Sequence, residues 1–278
     1  MALNLAAKGK AIGPLERSYD RRDAILYALG VGAGFSELEY CHEKRLKVIP
    51  SFSAALIFDF FFRAAAKAGV NLAGILHGEQ ELIFHRPLPA EGTLRTEGAV
   101  TDFFDKGADK GALVVARSET ADASAGPLFT SVMTLFARLD GGFGGPDAPK
   151  IAVEIPETPP DFVMPDRPGP DQPLLYRLSG DTFELHVDPD FAALAGFDRP
   201  ILHGLCTHGF ACRALIAGLI PGAPERVRKI GCRFSRPLYP GTPIETRIWK
   251  TGETSAVWRT VNAESGDVVI DRGTFDWA

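Results

Sequence analysis

The chain has 278 residues, 45% of them hydrophobic and 23% charged, with a formal net charge of -5. These values fit a globular protein with a sizeable core and exclude a disordered or low-complexity chain. The acidic balance argues against nucleic acid or an anionic membrane surface as a partner, and leaves a phosphate-bearing small ligand open through a local basic patch.

The N-terminal Met1-Ala-Leu-Asn-Leu-Ala-Ala-Lys lacks the apolar core and small-residue cleavage site of a secretory leader. No apolar run reaches the roughly 18 residues that a membrane helix needs. The C-terminal Asp276-Trp277-Ala278 is not a peroxisomal address. The four cysteines, Cys41, Cys206, Cys212 and Cys232, have neither zinc nor disulfide-framework spacing. They read as reduced thiols of a cytoplasmic protein.

Arg22–Gly30 reads as a short amphipathic helix stopped by glycine. Ser51–Gly69 follows as one buried, Ala-rich helix carrying Phe52, Leu56, Phe58, Phe60 and Phe61. These aromatics fit a plain core better than a ligand channel. Four strands come next, at about Ile75–His85, Gly92–Phe104, Gly111–Ala123 and Leu128–Leu139, separated by turn residues. From Pro146 to Pro173 the chain carries nine of its 21 prolines. Proline removes backbone donors and resists both helix and central strand, so this stretch is expected to be an extended linker.

The second half repeats the plan. A polar turn, Gly180–His186, leads to a short helix, Pro189–Gly196, and a long one, about Ile201–Ile220. Strands are expected at Val227–Phe234, Ile244–Lys250, Ala256–Asn262 and Val268–Phe275. Arg86-Pro87-Leu88 matches Arg236-Pro237-Leu238 in letters, and Ile75-Leu76-His77-Gly78 echoes Ile201-Leu202-His203-Gly204, although this second pair sits differently within the two halves. Such repeats suggest duplication of a helix-plus-sheet unit, with two sheets joined edge to edge.

Chemistry concentrates around that turn. Asp181 and His186 lie five positions apart, and an acid with an imidazole can hold a water and move its proton. Gly204 opens the long helix, where a free amide can steady negative charge on an oxygen. The six histidines have no H-x-x-x-H or other metal spacing, and no G-x-S-x-G supports a serine nucleophile. Arg233 and Arg236 flank Phe234 and fit either phosphate contact or a solvated surface. His203 and His208, near the start of the long helix, read as neutral structural histidines.

In order, the chain carries Tyr27-Ala-Leu-Gly-Val-Gly, Leu76-His-Gly-Glu-Gln, Asp105-Lys-Gly, Gly141-Gly-Phe-Gly-Gly, Tyr176-Arg-Leu-Ser-Gly-Asp, Ile201-Leu-His-Gly-Leu-Cys-Thr and Arg233-Phe-Ser-Arg-Pro-Leu. These motifs in this order resemble the MaoC-like (R)-specific 2-enoyl-CoA hydratases, the hydratase 2 family, and in particular the hydratase unit of peroxisomal multifunctional β-oxidation enzymes. The resemblance implies an α+β double hot-dog fold. Residues 1–145 would form an N-terminal hot-dog that accommodates the acyl tail and has no dyad. Residues 146–173 would be the linker, and 174–278 the C-terminal hot-dog with the hydratase motif.

The implied catalytic residues are Asp181, His186 and the amide of Gly204. The implied substrate contacts are His77, Gly78, Lys106, Thr182, Phe183, Glu184, Leu185 and Phe234, with Tyr176 in support. The resemblance further implies an acyl-CoA thioester substrate, a homodimer, and no metal or other cofactor, coenzyme A being part of the substrate. One departure stands out. The family's Asp-x-Asn-Pro-Leu-His carries Phe183 and Glu184 here in place of Asn and Pro. A phenyl ring cannot hydrogen-bond and is expected to narrow or desolvate the site. Two alternatives therefore stand beside the hydratase. One is a MaoC-like dehydratase of another thioester (on an acyl-carrier protein, or a branched or sterol-derived CoA). The other is a non-catalytic acyl-CoA binder.

Overall fold

The computed structural model describes residues 3–149 and 153–278. Among these, ten strands form one sheet. The first half supplies β1 (Ala11–Tyr19), β2 (Ile75–Phe84), β3 (Gly92–Asp105), β4 (Ala112–Asp122) and β5 (Gly126–Ala137). The second supplies β6 (Phe162–Asp166), β7 (Val227–Phe234), β8 (Ile244–Lys250), β9 (Ser255–Asn262) and β10 (Val268–Trp277). The order across the sheet is β1-β3-β4-β5-β2-β7-β10-β9-β8-β6. Read outward from the centre, both halves have the same order, as a duplicated unit requires. The halves meet at β2 and β7, antiparallel from Glu79 opposite Arg233 to Ile83 opposite Lys229. Each half thereby protects the other's exposed edge.

The Arg-Pro-Leu repeat occupies equivalent places. After β2, the His85 and Arg86 N–H groups donate to Leu128 O of β5, at 2.9 and 3.3 Å. After β7, those of Ser235 and Arg236 donate to Val269 O of β10, at 2.8 and 3.3 Å. The Ile-Leu-His-Gly echo has no such basis. His77 lies within β2, whereas His203 caps the entry to a helix.

Helices fill the concave faces. They are α1 (Arg21–Gly30), α2 (Leu38–Cys41), α3 (Phe52–Leu56), α4 (Phe58–Ala68), α5 (Gln172–Tyr176), α6 (Pro189–Leu194) and α7 (Gly204–Leu219). Helix α1 starts on a capping box, with Asp20 accepting from the Asp23 N–H and Asp23 from that of Asp20. Helix α4 buries Phe58, Phe60, Phe61, Ala64, Ala65 and Ala68 in the first sheet. Helix α7 is buried almost all round from Leu205 to Arg213, as befits the hub of the second. Arg213 makes a buried clasp on α7. Its guanidinium donates to Val31 O at 2.9 Å and to Asp166 at 3.1 Å, and pairs with Glu37. One cation thus ties carboxylates from both halves to the central helix.

The structure corrects three expectations. The helix expected over 51–69 is two helices, broken where Ile57 leaves helical geometry at φ -108° and ψ 17°. The freed carbonyls of Ala55 and Leu56 are met by Arg17, at 3.1 and 3.3 Å. The Pro-rich stretch is not purely a linker: Phe162–Asp166 pairs with β8 as the outermost strand. Pro165 is tolerated there because an edge strand has only one neighbour to serve. Residues 150–152 of that stretch lie outside the described residues, as do Met1 and Ala2. Finally, β1, which contains Gly13-Pro14 and forms the opposite edge, has no counterpart among the expected strands.

Candidate active site

The dyad sits on a turn held from below. Arg17, from β1, reaches past the break between α3 and α4 and donates to Ser179 O at 3.1 Å. Gly180 follows with φ 142°, and a Cβ there would stand 3.0 Å from Ala55 O. Only glycine lets the chain approach the broken helix this closely and turn. Asp181 comes next, 7% exposed, with one carboxylate oxygen accepting from the Phe183 N–H at 3.2 Å. A 3-10 turn, Glu184–His186, then brings the imidazole back beside the acid.

His186 Nδ1 lies 2.8 Å from Ile201 O. A carbonyl only accepts, so Nδ1 carries the proton and Nε2 keeps a free lone pair. His203 Nε2 lies 3.1 Å from Asp181 O and donates to it for the same reason. The two imidazoles stack, with centroids 3.8 Å apart and planes at 27°. Ligand-type atoms of Asp181, His186 and His203 all lie within 4.8 Å of one another. This trio, which sequence spacing hides, has the composition of a divalent-cation site. Two of its ring nitrogens, however, are committed as donors to backbone carbonyls.

Burial pulls the acid and the base apart. It raises the Asp181 carboxyl to about 7, against a lowering contribution from the Phe183 N–H. It lowers the His186 imidazole to about 4, against a raising contribution from the Ile201 carbonyl. At neutral pH the imidazole is therefore neutral and the carboxyl is substantially protonated. An acid able to give a proton stands beside a base able to take one.

Helix α7 begins at Gly204 with no side-chain cap, and its first internal hydrogen bond is Thr207 N–H to His203 O, 3.2 Å. The amides of Gly204, Leu205 and Cys206 are the helix's unspent donors. A Cβ on Gly204 would stand 3.0 Å from the Phe234 ring. The Leu202 N–H donates to Leu238 O at 2.7 Å, which pins the helix entry to the Arg-Pro-Leu loop.

These groups line a cavity of about 830 Å³ at the junction of the halves. Eight phenylalanines contribute to its wall, including Phe61, Phe62, Phe183 and Phe234. Lys106, Arg233, Arg236 and Arg272 line it as well. Asp105 holds the Lys106 turn by accepting from the N–H groups of Gly107, Gly142 and Gly144, at 2.8, 2.8 and 2.6 Å. Those bonds, Gly142 first, hold its carboxyl below the usual range. Arg272 has φ 51° at a register shift in β10, and nothing in the sequence signals it.

The cavity brings together Asp181, His186, Gly204, His77, Gly78, Lys106, Phe183, Leu185 and Phe234. Thr182 and Glu184 are exposed and lie outside its lining. Tyr176 is buried behind the pair, with its ring 4.9 Å from that of His203. His77 is wedged between Phe61 and Phe234, both 5.1 Å away, and burial lowers its imidazole to about 4. The Phe183 ring turns to Phe191, 5.2 Å, and Phe62, 6.3 Å. It does not come between the acid and the base. A ring there would need about 3.5 Å of clearance on each face, more than the 4.8 Å grouping allows. Sequence reasoning missed Arg17 and Arg272, and it placed His203 near the helix start without its stack on His186.

Two five-stranded halves of one sheet, each wrapped round a helix and joined edge to edge, define a double hot-dog protein whose second half carries an acid beside an imidazole. The chain belongs to the MaoC-like, hydratase 2 family. Residues 152–272 match the MaoC like domain, and residues 18–139 match the MFE-2 hydratase 2 N-terminal domain. It is 42% identical to 3-hydroxyacyl-thioester dehydratase Y of Mycobacterium tuberculosis, over 100% of this chain and 99% of that protein. It is 35% identical to the probable enoyl-CoA hydratase 2 of Dictyostelium discoideum, over 94% of this chain and 92% of that protein. Among solved structures, a MaoC-like dehydratase from Phytophthora capsici superimposes with TM-score 0.86 at 34% identity, covering 99% of this chain and 97% of that one.

Proposed function

We propose that this protein is a hydro-lyase that reversibly adds water to a trans-2-enoyl-CoA, giving the (3R)-3-hydroxyacyl-CoA. The observation that carries this reading is the meeting of Asp181, His186 and the uncapped start of α7 on one cavity. The thioester oxygen accepts from the Gly204 amide and gains negative charge as the reaction proceeds. Water attacks C3 and gives a proton to the free Nε2 of His186. C2 takes a proton from the Asp181 carboxyl. Return of the proton from His186 to Asp181 resets the pair. Acid, base and oxyanion donor are all protein groups, so no redox group or metal enters a step. Lys106, Arg233 and Arg272 offer positive charge to the phosphates of coenzyme A.

The relative named as a 3-hydroxyacyl-thioester dehydratase supports a second reading, the reverse reaction on another thioester carrier. Comparing CoA with acyl-carrier-protein thioesters separates the two. A non-catalytic role is disfavoured because Phe183 leaves the acid and base side by side. Asp181→Ala and His186→Ala should each lower turnover of crotonyl- and decenoyl-CoA by roughly 10²–10⁴-fold without unfolding the protein. The assay follows loss of enoyl-thioester absorbance, with chiral analysis of the product. Near-normal turnover in both variants overturns the assignment. A homodimer and a cytoplasmic location complete the proposal, supported by family likeness and by four free cysteines, three of them buried. Among the described residues no helix is long and apolar enough to cross a membrane.

A further inference from the structure

We propose that His203 is a positioning residue, a brace that holds the acid and the base in register through one hydrogen bond and one ring stack. The inference rests on the hydratase reading of the same site.

The dyad turn and the entry to α7 are separate segments with no strand ladder between them. Two imidazole-to-carbonyl bonds join them, in opposite senses. His186 of the turn donates to Ile201 O of the entry, and His203 of the entry donates to Asp181 O of the turn. The stacked rings close the rectangle, 3.8 Å apart. His203 is wholly buried, with Tyr176 packed on it at 4.9 Å. It therefore touches both catalytic residues at once, at the backbone of one and the ring face of the other. It also directly precedes Gly204, so one residue links acid, base and oxyanion donor.

Packing alone does not account for a histidine here. Its Nδ1 is buried without a hydrogen-bond partner. An orphaned acceptor is unfavourable in a core, and an apolar side chain of similar volume would avoid it. The ring is explained if its other nitrogen and its face are what the site uses. Both stacked rings stay neutral, since burial, helped by the facing His186, also keeps the His203 imidazole from protonating.

Two substitutions separate the two contacts. His203→Phe keeps a stackable ring and removes the donor. His203→Gln keeps an amide donor and removes the ring. The first measurement needs no substrate. With six histidines in the chain, ¹⁵N-histidine NMR reads the His186 tautomer and the exchange protection of its Nδ1 proton. Wild type should show a protected Nδ1–H, and both variants should lose that protection. The second measurement is steady-state hydration of crotonyl-CoA. A misplaced base should lower kcat by about 10–100-fold, with KM changed by less than about threefold, and His203→Gln should retain more activity than His203→Phe. Unchanged protection in both variants overturns the brace, as does wild-type kcat in either variant that loses protection. If one variant fails to fold, the other decides. Wild type inactive on every enoyl thioester would sink the hydratase reading, while the NMR result would still decide the brace.

Discussion

The ring of Phe183 meets that of Phe62 with centroids 6.3 Å apart and planes at 59°. The side chain that stands where the family has asparagine thus spans from the dyad turn to the long helix of the other half. It also closes a small cluster with Leu185, Ala192, Ile201 and Phe191. Its role is to wall the cavity rather than to block the acid and base.

Replacing Phe183 by Ala should therefore open the cavity and loosen that cluster. A fully buried Phe→Ala costs roughly 3–5 kcal/mol; Phe183 is only partly buried, so the loss should be smaller. Acyl-chain selectivity should shift toward bulkier substrates, seen as a higher ratio of kcat/KM for decenoyl- over crotonyl-CoA. Phe183→Asn tests the polar contact separately. An unchanged rate in that variant would mean the departure from the family pattern is neutral.

The pH profile of kcat/KM should have a plateau bounded by the two groups. His186 must be neutral to act as base, so the rate should fall as pH drops through about 4. Asp181 must carry its proton to serve as acid, so the rate should fall as pH rises through about 7. Rates that climb through pH 7 would reverse the roles, making Asp181 the base.

Gly204→Ala places a methyl group 3.0 Å from the Phe234 ring and so displaces the first amide of α7. Loss of an oxyanion donor lowers kcat by roughly 10²–10³-fold; displacement rather than removal should give about a tenth of that effect or more. The thermal midpoint should move only slightly, because the helix interior is untouched. A large fall in melting temperature with normal kcat would place the role of Gly204 in folding alone.

Stability should fall in acid. His77 and His186 are lowered to about 4, His208 to about 3, and His203 well below its usual range, each chiefly by burial. Each takes up a proton near pH 6.5 in the unfolded chain and resists it in the folded one. Their contribution is fully present above pH 6.5 and is lost as pH falls below it, down to about 4 for His77 and His186 and about 3 for His208. Asp181 works oppositely, since the folded state holds its proton from about 7 down to 3.8. Four groups outweigh one, so melting temperature should be lower at pH 5 than at pH 7. His208→Leu removes a buried ring with both nitrogens unpartnered and should narrow that gap. An unchanged gap would show that His208 already protonates freely.

Eight of the ten strands and both long helices were legible from periodicity and turn residues, because pleat and helix faces repeat locally. The two strands passed over are the sheet's outer edges, β1 and β6. Each carries a proline, Pro14 or Pro165, and an edge strand tolerates what a central one refuses. The break at Ile57 was equally hidden, since the Arg17 that satisfies its carbonyls is 38 residues away in sequence.

The same division runs through the site. Asp181, His186 and Gly204 could be named from one stretch of chain, because a turn and a helix start are written in neighbouring residues. Arg17, which reaches Ser179 across 162 residues, and His203, whose stack on His186 needs two loops to fold together, could not. Local sequence determines which groups are present and how each short segment bends. Which of them share a buried space, and so acquire a shifted proton affinity or a fixed tautomer, is decided only when distant surfaces leave water together.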